Sequence, residues 1–313
     1  MRVNLEQAIA KLKRGEVVAI PTETVYGLAA DASNENALQQ IYAIKERPAN
    51  NPLIVHIATK AQVGDWAAEF SPLAQKLAHA FWPGAFTLVL PAKPEVLKIV
   101  RAGESTVALR IPEHAMTQQV LKESGLGLAA PSANKSTQLS PTTASHVAHG
   151  LGEHVPVLDG GACKIGIEST IVAVEGDEWR LLRLGMIGEA AIALVAGKPA
   201  NKNKQATPRA PGQHLLHYSP ITPIKLFDSK SDLIDFATTH KGCVALMIGD
   251  GEIASGKTFN LPNNPHTLAE KLYDTLHQMD ALNAALLLIE APPNQTEWLA
   301  IKDRLSRASH KTL

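Results

Sequence analysis

The chain has 313 residues, 45% of them hydrophobic, with 30 Lys+Arg against 30 Asp+Glu and therefore no formal net charge. Its length and apolar fraction suit a globular protein of two domains or one large one, and the neutral balance argues against a protein whose main task is to grip a nucleic-acid backbone, because such binding is dominated by Lys and Arg contacts to phosphate. The first twenty residues lack the apolar run of a signal peptide and the most apolar stretch, residues 281–291, is far shorter than a membrane span, so no membrane association is expected.

Asn4, with Gln7 three residues on, has the spacing of a capping box and predicts a helix that Gly15 ends. Residues 17–20 read as a short buried strand stopped by Pro21. Asn34 opens a helix through Leu38, Ile41 and Ile44, the spacing of one buried face. Residues 53–57 read as a strand and 73–81 as a helix; 86–90, 106–111, 126–130, 155–158, 169–174 and 180–184 read as strands. Strands outnumber helices, which predicts an α/β sandwich or α+β layout and not a strictly parallel sheet.

Composition changes after Val195. Residues 197–212 (GKPANKNKQATPRAPG) contain three prolines, two asparagines and four cations with almost nothing to bury, and read as a polar tether able to lie across a surface. Beyond it, strand 224–227, helix 231–238, strand 243–248, helix 267–279 and strand 284–289 spell a small βαβαβ unit, hence a parallel sheet with right-handed crossovers.

Residues 251–258 (GEIASGKT) match the phosphate-binding pattern GxxxxGK[ST]. That motif needs a helix to begin at its Lys-Thr, so that helix amides hold the phosphates. Here the following residues, FNLPNNP, place two prolines and three asparagines where the helix should start. The match is read as chance, in a surface loop. The overlapping Gly249, Gly251 and Ala254, a degenerate dinucleotide fingerprint, fails for the same reason. His146/His149 and His214/His217 have metal-like spacing, but such pairs alone carry little, and no structural metal is expected. Cys163 and Cys243 lie in no ligand spacing, which suits a reduced, cytoplasmic protein.

Three clusters resist a purely structural reading. Residues 21–28 (PTETVYGL) place hydroxyls and a carboxylate directly after a buried strand, where α/β proteins keep ligands; an ordinary polar turn is the bland alternative. Lys45 and Arg47 end a helix, where cations already complement the dipole, yet they lead into an Asn- and Pro-rich loop that suits an anion site. His56 follows within a strand, and alone would read as a satisfied core histidine. Residues 129–134 (AAPSAN) again follow a strand, with small residues that let a ligand approach and with Ser132 and Asn134 as hydrogen-bonding groups.

On these motifs residues 16–185 resemble the YrdC family: PTETVYGL, the pair Lys45 and Arg47, the pair Ser132 and Asn134, and the stretches NPLIVHI, FWPGAFTLVL, TVALRIP and ESTIV. The linker and tail resemble the long, two-domain threonylcarbamoyl-AMP synthase form of that family, except that the Asn expected before Arg304 is missing. The resemblance implies a YrdC-like twisted sheet with helices over 1–196, a linker over 197–218 folding across the active site, and a smaller Rossmann-like βαβαβ domain over 219–313. It implies that the threonine amine takes up bicarbonate or CO2 and that the carbamate attacks the α-phosphorus of ATP, releasing pyrophosphate, for modification of tRNA next to the anticodon. By the same resemblance, Lys45 and Arg47 neutralise phosphate oxygens with Mg2+ on the triphosphate. Thr106, Ser132, Asn134, Ser140, Arg183 and Tyr218 complete the ATP site, and Thr22, His56, Arg110, the backbone at Ala130 and Ser169 hold threonine. Arg110 is expected to clamp its carboxylate through paired hydrogen bonds. The product is expected to pass to a tRNA threonylcarbamoyl transferase complex, any contact with tRNA itself being weak. The linker regains apolar character toward Tyr218, which predicts that its C-terminal part docks on the first domain.

The rival from another class is an RNA-binding module without catalysis, disfavoured by the neutral charge. A rival enzyme, a carbamoyltransferase maturation factor, would need cysteine-rich zinc modules that two isolated cysteines cannot supply.

Overall fold

In the computed structural model, which describes residues 1–200, 208–212 and 218–310, the capping box at the start of the chain is formed. Asn4 Oδ1 accepts from the Gln7 amide at 2.9 Å, Gln7 Oε1 accepts from the Asn4 amide at 3.0 Å, and helix α1 (Leu5–Lys13) follows. The chain divides into two compact units. The first comprises Met1–Ser136, Pro141–Lys164 and the described part of Glu168–Gln213; the second comprises Thr137–Ser140, Ile165–Ile167 and the described residues from Tyr218 onward.

The first unit is built on one ten-stranded mixed sheet: β1 (Arg2–Val3), β2 (Val18–Ile20), β3 (Gly27–Asp31), β4 (Ile54–His56), β5 (Phe86–Pro91), β6 (Thr106–Arg110), β7 (Leu128–Ala129), β8 (Val157–Leu158), β9 (Thr170–Glu175) and β10 (Glu178–Arg183). Their order is β1-β8-β2-β3-β7-β4-β6-β5-β9-β10, with parallel and antiparallel pairs interspersed. The helices are α2 (Glu35–Lys45), α3 (Val63–Trp66), α4 (Pro72–Phe81), α5 (Lys98–Arg101), α6 (Ala115–Ser124), α7 (Ala144–Leu151) and α8 (Glu189–Ala196). Strands β1 and β3 and helices α3, α5, α6, α7 and α8 add to the sequence reading. Helices α6 and α8 start without a side-chain cap, at His114 and Gly188, and so carry no local start signal.

Side chains alternate across strands, and here the two faces are covered differently. One face, with Leu28, Val55, Phe86, Leu88, Leu109 and Val172, packs into the main core against α2, α4 and α7. On the other, α1 and α6 cover the β2–β3–β7 end through Leu12, Val120 and Leu121. Farther along that second face, Ile54, Val89, Ala108, Ile171 and Leu182 form an apolar floor covered by Ala210. Arg209 beside it donates to Glu104 Oε1, and to the carbonyls of Asn50 and Ala102, each at 3.1 Å. Residues 208–212 thus dock on the sheet of the first unit; residues 201–207 and 213–217 of the expected linker, including His214 and His217, lie outside the described residues.

The second unit has four parallel strands, β11 (Ile224–Phe227), β12 (Cys243–Ile248), β13 (Lys257–Leu261) and β14 (Leu286–Glu290), in the order β11-β14-β12-β13. Helices α9 (Lys230–Thr239), α10 (Pro265–Asp280) and α11 (Leu299–Ala308) accompany them. The expected βαβαβ pattern is present, with β13 and α11 added. The GxxxxGK[ST] match is corrected in one respect. Its Lys257 and Thr258 begin strand β13 and do not lie in a surface loop, although the absence of a helix there agrees with the two prolines. Thr258 Oγ1 accepts from the Ile253 amide at 3.1 Å, and Lys257 Nζ lies 4.7 Å from the Phe259 ring centroid.

Candidate active site

The period-two alternation that gives the second face its apolar floor also brings polar groups onto it. His56 is in register with Arg110, and Ile54 with Ala108, so the histidine and the arginine share that face. The Arg110 guanidinium is 4% exposed and is fixed from three sides. Nε donates to the Gly84 carbonyl at 3.1 Å, Nη1 to Thr24 Oγ1 at 2.9 Å and Nη2 to Glu23 Oε1 at 2.6 Å. Three of its five N–H donors are thereby engaged. Glu23 Oε2 accepts from the Glu113 amide at 3.1 Å. Burial pushes the Glu23 carboxyl up, but the charge and hydrogen bond of Arg110 outweigh it and hold the group below its ordinary value. Arg110 thus has a carboxylate partner within the chain, a contact that sequence reasoning missed because the two residues are far apart in sequence.

The PTETVYGL segment is a hydroxyl-stabilised turn. Thr22 Oγ1 donates to the Val25 carbonyl at 2.6 Å and accepts from the amides of Thr24 and Val25 at 3.1 and 3.2 Å. Gly27 follows because a Cβ there would stand 3.1 Å from Ala130 Cβ and 3.3 Å from its carbonyl oxygen. The Ala130 amide donates to the Ile54 carbonyl at 3.1 Å, leaving the carbonyl as the Ala130 backbone group able to meet an ammonium. Cys163 is buried beside Thr22; burial pushes its thiol up to about 12, so it is no nucleophile here.

Ser169 and Arg183 form a second knot. Ser169 Oγ is 2.8 Å from Thr87 Oγ1 and accepts from Arg183 Nη2 at 3.1 Å. Arg183 Nε reaches the Ser169 carbonyl at 3.0 Å, and Nη1 reaches the Pro211 carbonyl at 3.1 Å. One arginine therefore joins the end of β10, the start of β9 and the docked stretch. Thr106, the first residue of β6, lines a neighbouring cavity of about 390 Å³ with Val89, Ser105, Ala173, Arg180 and Pro208.

Lys45, last in α2, is 1% exposed, and its Nζ donates to the carbonyls of Ser132 and Asn134, both at 2.5 Å. Burial first, then the charge of Arg47, pull its ammonium well below its ordinary value. The cation binds the AAPSAN loop by its main chain and keeps one N–H donor beyond those two bonds. Arg47 Nη2 donates to the Pro52 carbonyl at 2.8 Å. Ser140 and Tyr218 belong to the second unit. There the Ser140 carbonyl lies 3.2 Å from His277 Nε2, and the buried Tyr218 ring packs on Arg304 and Tyr273.

His56 yields a pH prediction. Burial, then the neighbouring Arg110 charge, push its imidazole down to about 3. An unfolded histidine titrates near about 6.5, so between these values the unfolded chain binds the extra proton. The contribution is complete above the unfolded pKa and is lost as pH falls from there toward the folded one. Denaturant melts at pH 6.5 and 5.5 should differ by about 1 kcal/mol from this group, because at pH 6.5 only half of the unfolded histidine carries the proton. His56→Gln should flatten the slope by that amount, and an unchanged slope would remove His56 as its source.

Residues 10–185 match the family Sua5_yciO_yrdC, described as telomere recombination, and residues 183–310 match Sua5_C, described as the threonylcarbamoyl-AMP synthase C-terminal domain. The chain is similar to threonylcarbamoyl-AMP synthase of Bacillus subtilis (strain 168), at 38% identity across 97% of this chain and 92% of that one. It is also similar to that of Pyrococcus abyssi, at 37% identity across 95% and 92%. Among solved structures it superposes on P. abyssi Sua5 complexed with L-threonine with a TM-score of 0.88, at 35% identity, covering 99% of this chain and 96% of that one.

Proposed function

Because the chain belongs to the Sua5–YciO–YrdC family and carries the family's threonylcarbamoyl-AMP synthase C-terminal domain, we infer that it makes L-threonylcarbamoyl-AMP from L-threonine, bicarbonate or CO2, and ATP, releasing pyrophosphate, for threonylcarbamoyl-adenosine modification of tRNA. The geometric support is the buried polar cluster of Thr22, Glu23, His56 and Arg110 beside the apolar floor of the same sheet face. Buried polar groups are costly unless satisfied; four of them gathered at the carboxyl ends of β2, β4 and β6 suit a small polar substrate.

The threonine amine bonds to the carbon of CO2, or of bicarbonate with loss of water, and gives up a proton. The resulting carbamate oxygen then bonds to the α-phosphorus as the bond to the pyrophosphate oxygen breaks. No side-chain nucleophile takes part, so the protein's contribution is positioning and charge stabilisation. We assign threonine to Thr22, His56, Arg110, the Ala130 carbonyl and Ser169. Neutral His56 adds no charge, and the two uncommitted N–H donors of Arg110 are left to meet the carboxylate. We assign ATP to Lys45, Arg47, Thr106, Ser132, Asn134, Ser140, Arg183 and Tyr218, with Lys45 and Arg47 carrying the phosphate charge.

Magnesium would enter on the triphosphate, whose oxygens and water supply most of its ligands, and would add charge neutralisation there. The donors near the AAPSAN loop are cations, hydroxyls, an amide and carbonyls, and Glu23 is held by Arg110, so no residue is assigned as a protein ligand. We read residues 1–196 as the catalytic domain, 197–218 as a linker closing the site, and 219–313 as the Rossmann-like domain. The cytoplasmic assignment rests on two free buried cysteines and on the fact that no described helix is long and apolar enough to cross a membrane. The product would be handed to a tRNA threonylcarbamoyl transferase complex.

The test is mass spectrometry and pyrophosphate release with ATP, magnesium, threonine and labelled bicarbonate. Pyrophosphate should appear only with threonine and bicarbonate together, alongside a labelled adenylate. Release of γ-phosphate without threonine would overturn the reading.

A further inference from the structure

The second unit holds a cavity that the proposed reaction does not use. Its volume is about 460 Å³, and it sits at the carboxyl ends of β11, β12 and β14, lined by Asp228, Ile248, Asn263, Glu290, Lys302 and residues 291–294. Topology explains its place. Strand β14 passes the chain on to α11, which packs back on β11, while the neighbouring β12 passes it the other way, to β13. Neighbouring strands whose connections part in this way leave a crevice outside their carboxyl ends, where open α/β sheets bind ligands.

The charges in the cavity wall are of two kinds. Glu290 is committed: its Oε2 accepts from the Ile248 amide at 2.8 Å and lies 3.6 Å from Lys230 Nζ. Lys230 in turn donates to the carbonyls of Ile248 and Asp250, each at 2.8 Å. Asp228, exposed just past β11, and Lys302 on α11 form no ion pair with each other or with another described residue. Lys302 Nζ meets only the neutral Asn294 Oδ1, at 3.3 Å. The cavity therefore offers one uncommitted carboxylate, one uncommitted ammonium, the side-chain amides of Asn263 and Asn294, and the apolar surface of Ile248, Ala291 and Pro292.

A doubly charged phosphate would meet two carboxylates and one uncommitted cation there. A zwitterion matches both uncommitted groups at once, through charge-assisted hydrogen bonds. We propose that this cavity binds a free α-amino acid, its ammonium on Asp228 and its carboxylate on Lys302. The inference stands on the second unit alone and does not depend on the catalytic reading.

The test is calorimetric titration of the full chain, without ATP, with each of the twenty common α-amino acids. At least one should show a binding event that Asp228→Asn and Lys302→Gln each weaken at least about tenfold, the worth of one charged hydrogen bond. Its methyl ester and N-acetyl derivatives should lose that event as well. Pyrophosphate release at saturating substrates should be unchanged in both variants. Threonine binding at the catalytic site should persist in both variants; the absence of any amino-acid binding event that the two variants weaken, or occupancy of the cavity by AMP or inorganic phosphate in competition with the amino acid, would overturn the proposal.

Discussion

Replacing Lys45 by alanine is expected to lower the rate of pyrophosphate release about 10²–10³-fold, the usual loss on deleting one preorganised electrostatic group, while Lys257→Ala leaves it at the wild-type level. Both lysines belong to phosphate-binding patterns in the sequence, but their surroundings differ. Lys45 is buried at the C-terminus of α2 with Ser132 and Asn134 around its ammonium. Lys257 is exposed, opens a strand and rests on Phe259. Lys45→Ala also removes a donor from the Ser132 carbonyl, which keeps the Asn134 amide at 3.0 Å, and from the Asn134 carbonyl, at about 1–3 kcal/mol where that one is left buried and unmet. Rates should therefore be compared at temperatures where circular dichroism shows both variants folded. A Lys257→Ala loss equal to or larger than that of Lys45→Ala would move the phosphate site to the second unit.

Glu23→Gln should cost about 3–5 kcal/mol of stability, because it leaves the Arg110 cation buried without its counter-ion. The pair is 2.6 Å apart with side chains 4% and 6% exposed, so solvent screening hardly softens the loss. Its contribution is present above the unfolded glutamate pKa, about 4.3, and fades as pH falls through the lower folded value. The double variant Glu23→Gln/Arg110→Met should be markedly more stable than the sum of the two single losses, since it buries no orphaned charge. Additive losses in denaturant melts would show that the two groups are not coupled and that Arg110 is free to act on substrate alone.

Local signals in the sequence determined a good deal of this protein. Asn4 with Gln7, Asn34, and the β-branched and aliphatic runs of β11 and β12 set helix starts and strand cores within a few residues, because a cap or an alternation is satisfied by near neighbours. The motifs PTETVYGL, K-x-R and S-x-N marked the segments that carry the site, and the prolines after Lys257 ruled out a helix there. Only the tertiary structure decided what those segments do to one another. Strand β3, with the sequence GLAAD, has little strand propensity and exists because β2 and β7 flank it. Lys45 reads as a helix-ending cation at an anion site, and packing alone sets it inward under the AAPSAN loop with two carbonyls on its ammonium. Residues 208–212 read as a tether able to lie across a surface, and the sheet decides which surface, since the face they cover would otherwise expose Ile54, Val89 and Ala108. The pairing of Glu23 with Arg110 depends on sheet order, which sets distant residues side by side and leaves no mark in the spacing of either segment.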